Sequence, residues 1–310
     1  MRIILTAILL LTSVSAFAAP PVEEGFSGSF DIGAFAISTN DALSVNDKNE
    51  DIDDLDDNPD SAGEVLGAIL FDLKYRKNSH LFHIGTPLEG GEPQLLAGYT
   101  FLKGESSYDI SMVINPLGEK WKDPYVLDRS KTDSVSAGLR LKAENIADSS
   151  FNIELKAISH DIDDDVIGER FSEMKRDGST YTVKLEYGYD LGSNKELTPY
   201  IEYTREDRDG DAQSADGYAI GTKYSQPIGN GIIIPTISIA TMEYDEENPV
   251  FGKTREDTSA KAFVMYIHKK PFGWENKHIT VLAGTSKRFS NIDFYDATSY
   301  FGGVTFGFDF

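Results

Sequence analysis

The chain has 310 residues with no cysteine, 40% apolar and 11% aromatic residues, and 51 acidic against 29 basic side chains, a formal net charge of −22. Without cysteine, disulfides, thiolate zinc sites, iron–sulfur clusters and thiol catalysis are excluded. A mean hydropathy of −0.31 excludes a bundle of membrane helices, each of which needs about 20 consecutive apolar residues, and a pI near 4.5 makes nucleic acid an unfavourable partner.

The first element in chain order is an export signal. Arg2 precedes an apolar run from Ile3 to Leu11, and Ala16-Phe17-Ala18 has the small-x-small pattern of a cleavage site. The run is about half of what a spanning helix needs, and Pro20-Pro21 follows it. The expected organisation is a signal peptide over residues 1–18 and one domain over 19–310, with no lipid anchor because no cysteine is present.

From Gly25 onward the repeating unit is a stretch of about ten residues that alternates apolar with polar or small side chains, the period of a two-faced strand. Phe30, Ile32, Ala34 and Ala36 share one face opposite Ser29 and Asp31; Val65, Ile69, Leu73 and Tyr75 lie opposite Asp72 and Lys74. Tyr108-Ile110-Met112, Val135-Ala137-Leu139-Leu141, Phe151-Ile153-Leu155 and Tyr181-Val183-Leu185 continue the pattern, with Arg140, Lys142, Glu154, Lys184, Glu186, Glu202 and Lys223 on the other face. Long connections (39–63, 115–131, 160–177, 206–216, 244–257, 288–298) take turns with tight ones near 76–79, 103–105, 145–150, 192–196 and 228–231. Sorting of long and short links onto two rims is the signature of an outer-membrane barrel, whereas a soluble β-sandwich has no cause to sort its loops. Tyrosines toward strand ends and a last strand closing on Phe306, Phe308 and Phe310 agree with that reading. The expected fold is therefore all-β: a transmembrane antiparallel up-and-down barrel of about fourteen strands, twelve being the other count. Its termini would be periplasmic, and Pro199 and Pro235 would weaken the strands that carry them.

The strings VEEGFSG (Val22 to Gly28), WKDPYV (Trp121 to Val126), NPVFGKTRED (Asn248 to Asp257), GWEN (Gly273 to Asn276) and NIDFYD (Asn291 to Asp296) follow one another in this order. With them the chain resembles the Gram-negative family known as domain of unknown function 2860. The resemblance spans the chain after the signal and is strongest over the last 70 residues. It implies an outer-membrane barrel and brings no substrate, catalytic residue or partner.

Chemistry-bearing clusters are few. Asp51, Asp53, Asp54, Asp56 and Asp57 crowd one loop, where alternating carboxylates could hold Ca²⁺ weakly, yet no glycine provides the turn of an EF-hand and a solvated surface loop is the favoured reading. Of the five histidines, His80 and His83 fall on opposite faces of a strand, and His160, beside Asp161, could serve as a base for the nearby Ser159, although adjacent strand residues point to opposite sides. No catalytic fingerprint is present, so no enzyme and no cofactor are expected. The expected function is a porin-like passive channel for small hydrophilic solutes or cations; the alternative is a non-conducting structural or surface-binding barrel. Arg140, Lys184, Glu186, Glu202, Arg255, Glu256, Asp257, Trp121 and Asp123 are the residues expected to line the pore or its constriction. The expected partners are outer-membrane lipid, lipopolysaccharide and, through the strand ending at Phe310, the barrel assembly machinery. The working unit would be a monomer.

Overall fold

A computed structural model describes residues 24–56, 59–86 and 94–310. The expected signal peptide and its cleavage site lie outside the described residues.

One antiparallel sheet closes on itself. In chain order its strands are β1 (Gly25–Thr39), β2 (Ala62–Lys77), β3 (His80–Gly85), β4 (Leu95–Lys103), β5 (Ser106–Trp121), β6 (Lys131–Glu144), β7 (Phe151–Ile162), β8 (Gly178–Tyr187), β9 (Tyr189–Asp190), β10 (Glu196–Arg208), β11 (Ala215–Ile228), β12 (Gly231–Asn248), β13 (Lys253–Lys269), β14 (Lys277–Ser290) and β15 (Ala297–Asp309). β9 resumes β8 after Gly188, and both pair with β10, so the described segments form fourteen staves. Neighbours in sequence are neighbours in space, and β15 returns to pair with β1 from Ser29↔Asp309 to Thr39↔Ser299. At about 4.8 Å between strands and a tilt near 40°, such a barrel is roughly 27 Å across its backbone.

The alternation of the sequence becomes an inside and an outside. Ile32, Ile69, Met112, Leu139, Ile201, Ile220, Ile239 and Val304 are exposed on the outer wall, whereas Arg140, Lys184 and Lys223, on the polar face, are buried. A closed sheet leaves no unpaired edge, so the backbone is satisfied in hydrocarbon, and the apolar outer band faces lipid at no cost in hydrogen bonding. Aromatic pairs collar the short-turn rim: Phe26 with Tyr75 at 4.7 Å, Phe82 with Tyr99 at 5.3 Å, Phe151 with Tyr187 at 5.5 Å and Trp274 with Phe306 at 6.2 Å. Toward the other rim the outward face turns polar, where Arg205 donates to Asp245 at 2.6 and 2.9 Å and Tyr203 to Asp216 at 2.6 Å.

Strands on the long-loop side overshoot the 9–11 residues that a tilted crossing needs. β12 has 18 residues and β13 has 17, and only 249–252 separates them. The long link expected at 244–257 is therefore mostly strand, and the one expected at 115–131 is strand as far as Trp121. The sequence turns polar where the strands leave hydrocarbon, and polarity alone does not distinguish an emergent strand from a loop.

The two prolines weaken their strands only locally. Pro199 and Pro235 both sit inside strands, opposite Thr222 and Val264. Each missing N–H coincides with a gap on one side only. Beside Pro199 the neighbouring stave is interrupted at Gly188 between β8 and β9, and beside Pro235 the β11–β12 ladder skips from Lys223↔Thr236 to Gln226↔Ile233. A strand held on its other flank tolerates the loss of one ladder hydrogen bond.

Candidate functional site

The lumen has two unlike walls. On β5 to β10, cross-strand register places Asp109 opposite Lys142, Lys142 opposite Glu154, Glu154 opposite Lys184, and Lys184 opposite Glu202, a belt of alternating sign. Along the strands the next inward residue closes further pairs: Lys184 to Glu186 at 2.8 Å, Lys156 to Glu154 at 2.9 Å and Lys142 to Glu144 at 2.8 Å. Asp109 takes His83 at 2.6 Å and Arg140 at 3.3 Å. The Tyr200 ring lies 4.4 Å from the Lys184 ammonium and rests on Gly221, where a Cβ would collide with the ring. Every belt charge thus has an opposite charge across the ladder or along its strand, the condition for keeping ions out of bulk water.

The facing wall is apolar. Phe35, Ala68, Ile234, Phe263, Met265, Leu282 and Phe301, from β1, β2 and β12 to β15, are buried against one another on the lumen side. Strand alternation conceals this from a sequence reading, because Phe35 and Phe301 sit on what pattern alone marks as the small or polar face.

Over the long-loop rim the loops build a core of their own. Ala42, Ile52, Tyr125, Ile167, Met174, Ala212, Ile292, Phe294 and Tyr295 are buried together, and Leu43, Leu55, Phe171, Val250 and Phe251 pack on them. Six of the seven loops on this rim contribute; the remaining one, 86–94, is mostly outside the described residues. Polar ties hold the cap. The Tyr125 and Tyr295 hydroxyls are 2.6 Å apart, Asn248 donates to the Tyr295 hydroxyl at 2.8 Å, and Arg129 donates to the carbonyls of Ala42, at 2.6 Å, and Asn49. Burial raises the Tyr125 hydroxyl above the usual tyrosine range and pushes the Arg129 guanidinium down to about 10, against the pull of Asp41, so both keep their ordinary neutral-pH charge. A short helix α1 (Val166–Arg170) in the loop after β7 supplies Ile167 to the core, and Arg170 on it pairs with Asp123 at 3.1 Å.

Beneath the cap lies a cavity of about 680 Å³. Its lining includes Arg176, Arg208, Arg255 and Arg288 together with Asp41, Asp161, Glu206 and Asp257, so the space has mixed charge although the chain as a whole is strongly acidic.

The expected site residues fall into three groups. Arg140, Lys184, Glu186 and Glu202 stand in the charged wall, and Arg255 and Asp257 line the cavity, joined at 2.5 and 3.0 Å. Trp121 and Asp123 do not line a passage: Trp121 is buried under the Arg129 guanidinium at 4.6 Å, and Asp123 is buried between Arg170 and the Tyr125 N–H. Glu256 is corrected as well, since it is exposed on the opposite face of β13 from its two neighbours, as strand alternation requires. Among the acidic-loop residues, Asp51 forms an isolated bridge with Asp128, Asp54 accepts from the Asp56 N–H, and Asp57 is outside the described residues. Among the described residues no group of three metal-ligating side chains occurs. His160 does not meet Ser159, its neighbour on the other face; it meets Ser136 across the ladder at 2.8 Å. Arg129, Arg208, Phe294 and Tyr295 were not singled out by the sequence, although an aromatic pair inside the polar string NIDFYD is the kind of signal that marks a buried loop.

A sheet closed without an edge, apolar outside, charged inside and collared by aromatic rings on its short rim is an outer-membrane-type β-barrel. The chain belongs to the family described as "Protein of unknown function (DUF2860)", whose profile matches residues 25–309. No curated protein matches it in sequence. Among solved structures it is similar to a bacterial polysaccharide outer membrane secretin (11% identity, TM-score 0.45, 90% of this chain and 98% of that one). It is similar also to OmpTdeltaL8, a loop-deletion mutant of an outer membrane protein of Vibrio cholerae (11%, 0.44, 91% and 98%), and to an anion-selective porin from Comamonas acidovorans (8%, 0.44, 92% and 100%). Similarity at this level leaves function to the residues of this chain.

Proposed function

We propose that the protein is a porin-like passive channel of the outer membrane, for small hydrophilic solutes, whose mouth is covered by its own loops. The observation that carries the reading is the 680 Å³ cavity at the head of a lumen lined on one side by paired charges. Fixed charges of both signs keep such a space wettable and let a hydrated solute exchange contacts. Acidic outer loops concentrate cations at the surface, but the four arginines among the cavity lining offset that preference further in. The protein acts without a cofactor and not as an enzyme, works as a monomer, and meets lipopolysaccharide outside and the assembly machinery through Phe310.

The apolar cap favours the second reading, a closed barrel that conducts nothing. Single-channel recording decides between them. The channel reading expects rare or small steps from the parent and frequent larger ones from Phe294→Ala, which removes a buried ring joining the loops, at a cost of about 3–5 kcal/mol to cap cohesion. Correctly folded parent and variant that are both silent would establish the closed barrel.

A further inference from the structure

Ser136, His160 and Arg208 line the cavity from β6, β7 and β10; Ile37, Met242 and Phe301 line it from β1, β12 and β15, and β13 and β14, which lie between β12 and β15, add Arg255, Asp257 and Arg288. Three of its four arginines are committed: Arg176 to Asp165 at 2.6 Å, Arg255 to Asp257 at 2.5 Å and Arg288 to Asp41 at 2.8 Å. Arg208 is different. Its nearest carboxylate, Glu206, is 3.6 Å away; Nη2 donates to the Thr180 hydroxyl at 2.9 Å; and Nη1 is buried with no hydrogen-bond partner among the described residues. The same Thr180 hydroxyl lies 3.0 Å from His160 Nε2, whose ring reaches the Ser136 hydroxyl through Nδ1 at 2.8 Å. A guanidinium with an unused donor, at the end of a row of groups that can each donate, is suited to an acceptor-only oxyanion.

We infer that this cavity is a binding subsite for a small organic anion, its carboxylate or phosphate held by Arg208 beside His160 and its apolar body against Ile37, Met242 and Phe301. The volume lies in the range of small-molecule pockets, and the lining offers Ile37, Met242 and Phe301 as apolar contacts among its polar groups. Glu206 limits the affinity and leaves the occupant free to exit, as a solute in transit must be. The inference deepens the channel reading, but the site itself does not depend on conduction.

Calorimetric titration of the whole detergent-folded protein tests it. Benzoate and phenyl phosphate are the probes, and they decide which acid group is preferred; acetate lacks the apolar body and benzylamine inverts the charge. Expected are saturable binding of at least one aromatic anion, clearly weaker acetate, no benzylamine binding, and a loss of about tenfold or more in Arg208→Gln, the effect of one charge-assisted hydrogen bond. Absence of binding by either probe, equal binding of benzylamine, or an unchanged Arg208→Gln overturns the proposal. Should Arg208→Gln fail to show heat-modifiable migration, Ala240→Phe fills the cavity instead, and a folded Ala240→Phe that binds as well as the parent overturns it equally. Conductance is recorded on the same preparations. Steps without aromatic-anion binding reject the subsite and leave the channel standing, whereas binding without steps supports the subsite and rejects the channel.

Discussion

The Arg255 guanidinium lies 3.6 Å from the centre of the Tyr295 ring while its two ends close on the Asp257 carboxylate two residues along the same strand. One side chain thereby joins the barrel wall to the last long loop, and a second ring, Tyr244, is 4.6 Å away. The contact sits where the apolar cap meets the charged cavity. A buried guanidinium stacked on rings and paired with a carboxylate is well placed to bear such a junction, because its planar faces need no water.

Removing one member of this pair should cost far more than removing both. Arg255→Ala leaves Asp257 buried and uncompensated, a penalty of about 3–5 kcal/mol, and Arg255→Ala with Asp257→Ala should recover part of it. The heat-modifiable transition measured on the two singles and the double checks this. In conducting preparations the single Arg255→Ala should also shift the reversal potential toward cation preference, because it adds a net negative charge to the cavity; unchanged transition and selectivity together would remove any role for Arg255.

The belt predicts a selectivity effect deeper in the lumen. Lys184 stands opposite Glu154 and Glu202 and binds Glu186 at 2.8 Å, so Lys184→Met leaves three carboxylates facing a charge that is gone. The expected outcome is a reversal potential moved toward cations and a lower unfolding temperature, with Glu186→Gln added to the same chain restoring part of both. Bilayer recording under a salt gradient and a thermal gel shift read the two effects separately.

At the other end, Phe310 seals the seam between the first and last strands. Its N–H donates to the Gly28 carbonyl at 3.0 Å, and its own carbonyl accepts from the Gly28 N–H at 2.9 Å, while its ring stacks at 6.0 Å on Phe308. Deleting Phe310 removes both hydrogen bonds where the barrel closes, so folded yield in membranes should fall severalfold. Deleting Asp60 from the first loop should leave the yield unchanged, and equal yields from the two deletions would contradict a seam role.

Acidification should tighten one loop. Asp177 accepts from the Ile162 N–H at 2.9 Å, and its carboxyl is held above the ordinary range by partial burial and by Asp161, Asp165 and Asp209. An acid whose folded pKa is raised binds more protons folded than unfolded as pH falls through that pKa, so its contribution to stability rises on going from neutral pH toward about 4 and is lost above. Asp177→Asn should therefore stabilise the loops at neutral pH and lose its advantage in acid. A parent-minus-variant difference in unfolding temperature that does not change with pH would show that Asp177 is not strained.

Much of this architecture is written locally. Each strand carries its own two-residue period and each tight turn its own breakers, so the closed antiparallel barrel, the fourteen staves and the inward placement of Arg140, Lys184, Glu186 and Glu202 follow from the chain read in order. A slip of one residue would put lysine and glutamate in lipid, and that penalty makes register legible. Partnership across the lumen is not local. Phe35 with Phe301, Tyr125 with Tyr295 and His160 with Ser136 join residues whose separation in the chain has no pattern to mark it, and loops rich in aspartate hide the few apolar side chains that build the cap. The sequence by itself determined which face of each strand meets lipid, because hydrocarbon accepts only one of the two. Only the tertiary structure decided that the long loops form a cap, that Glu256 points away from the mouth, and that Arg208 is the cavity arginine with a donor left over, because each depends on which neighbour curvature and closure bring within a few ångströms.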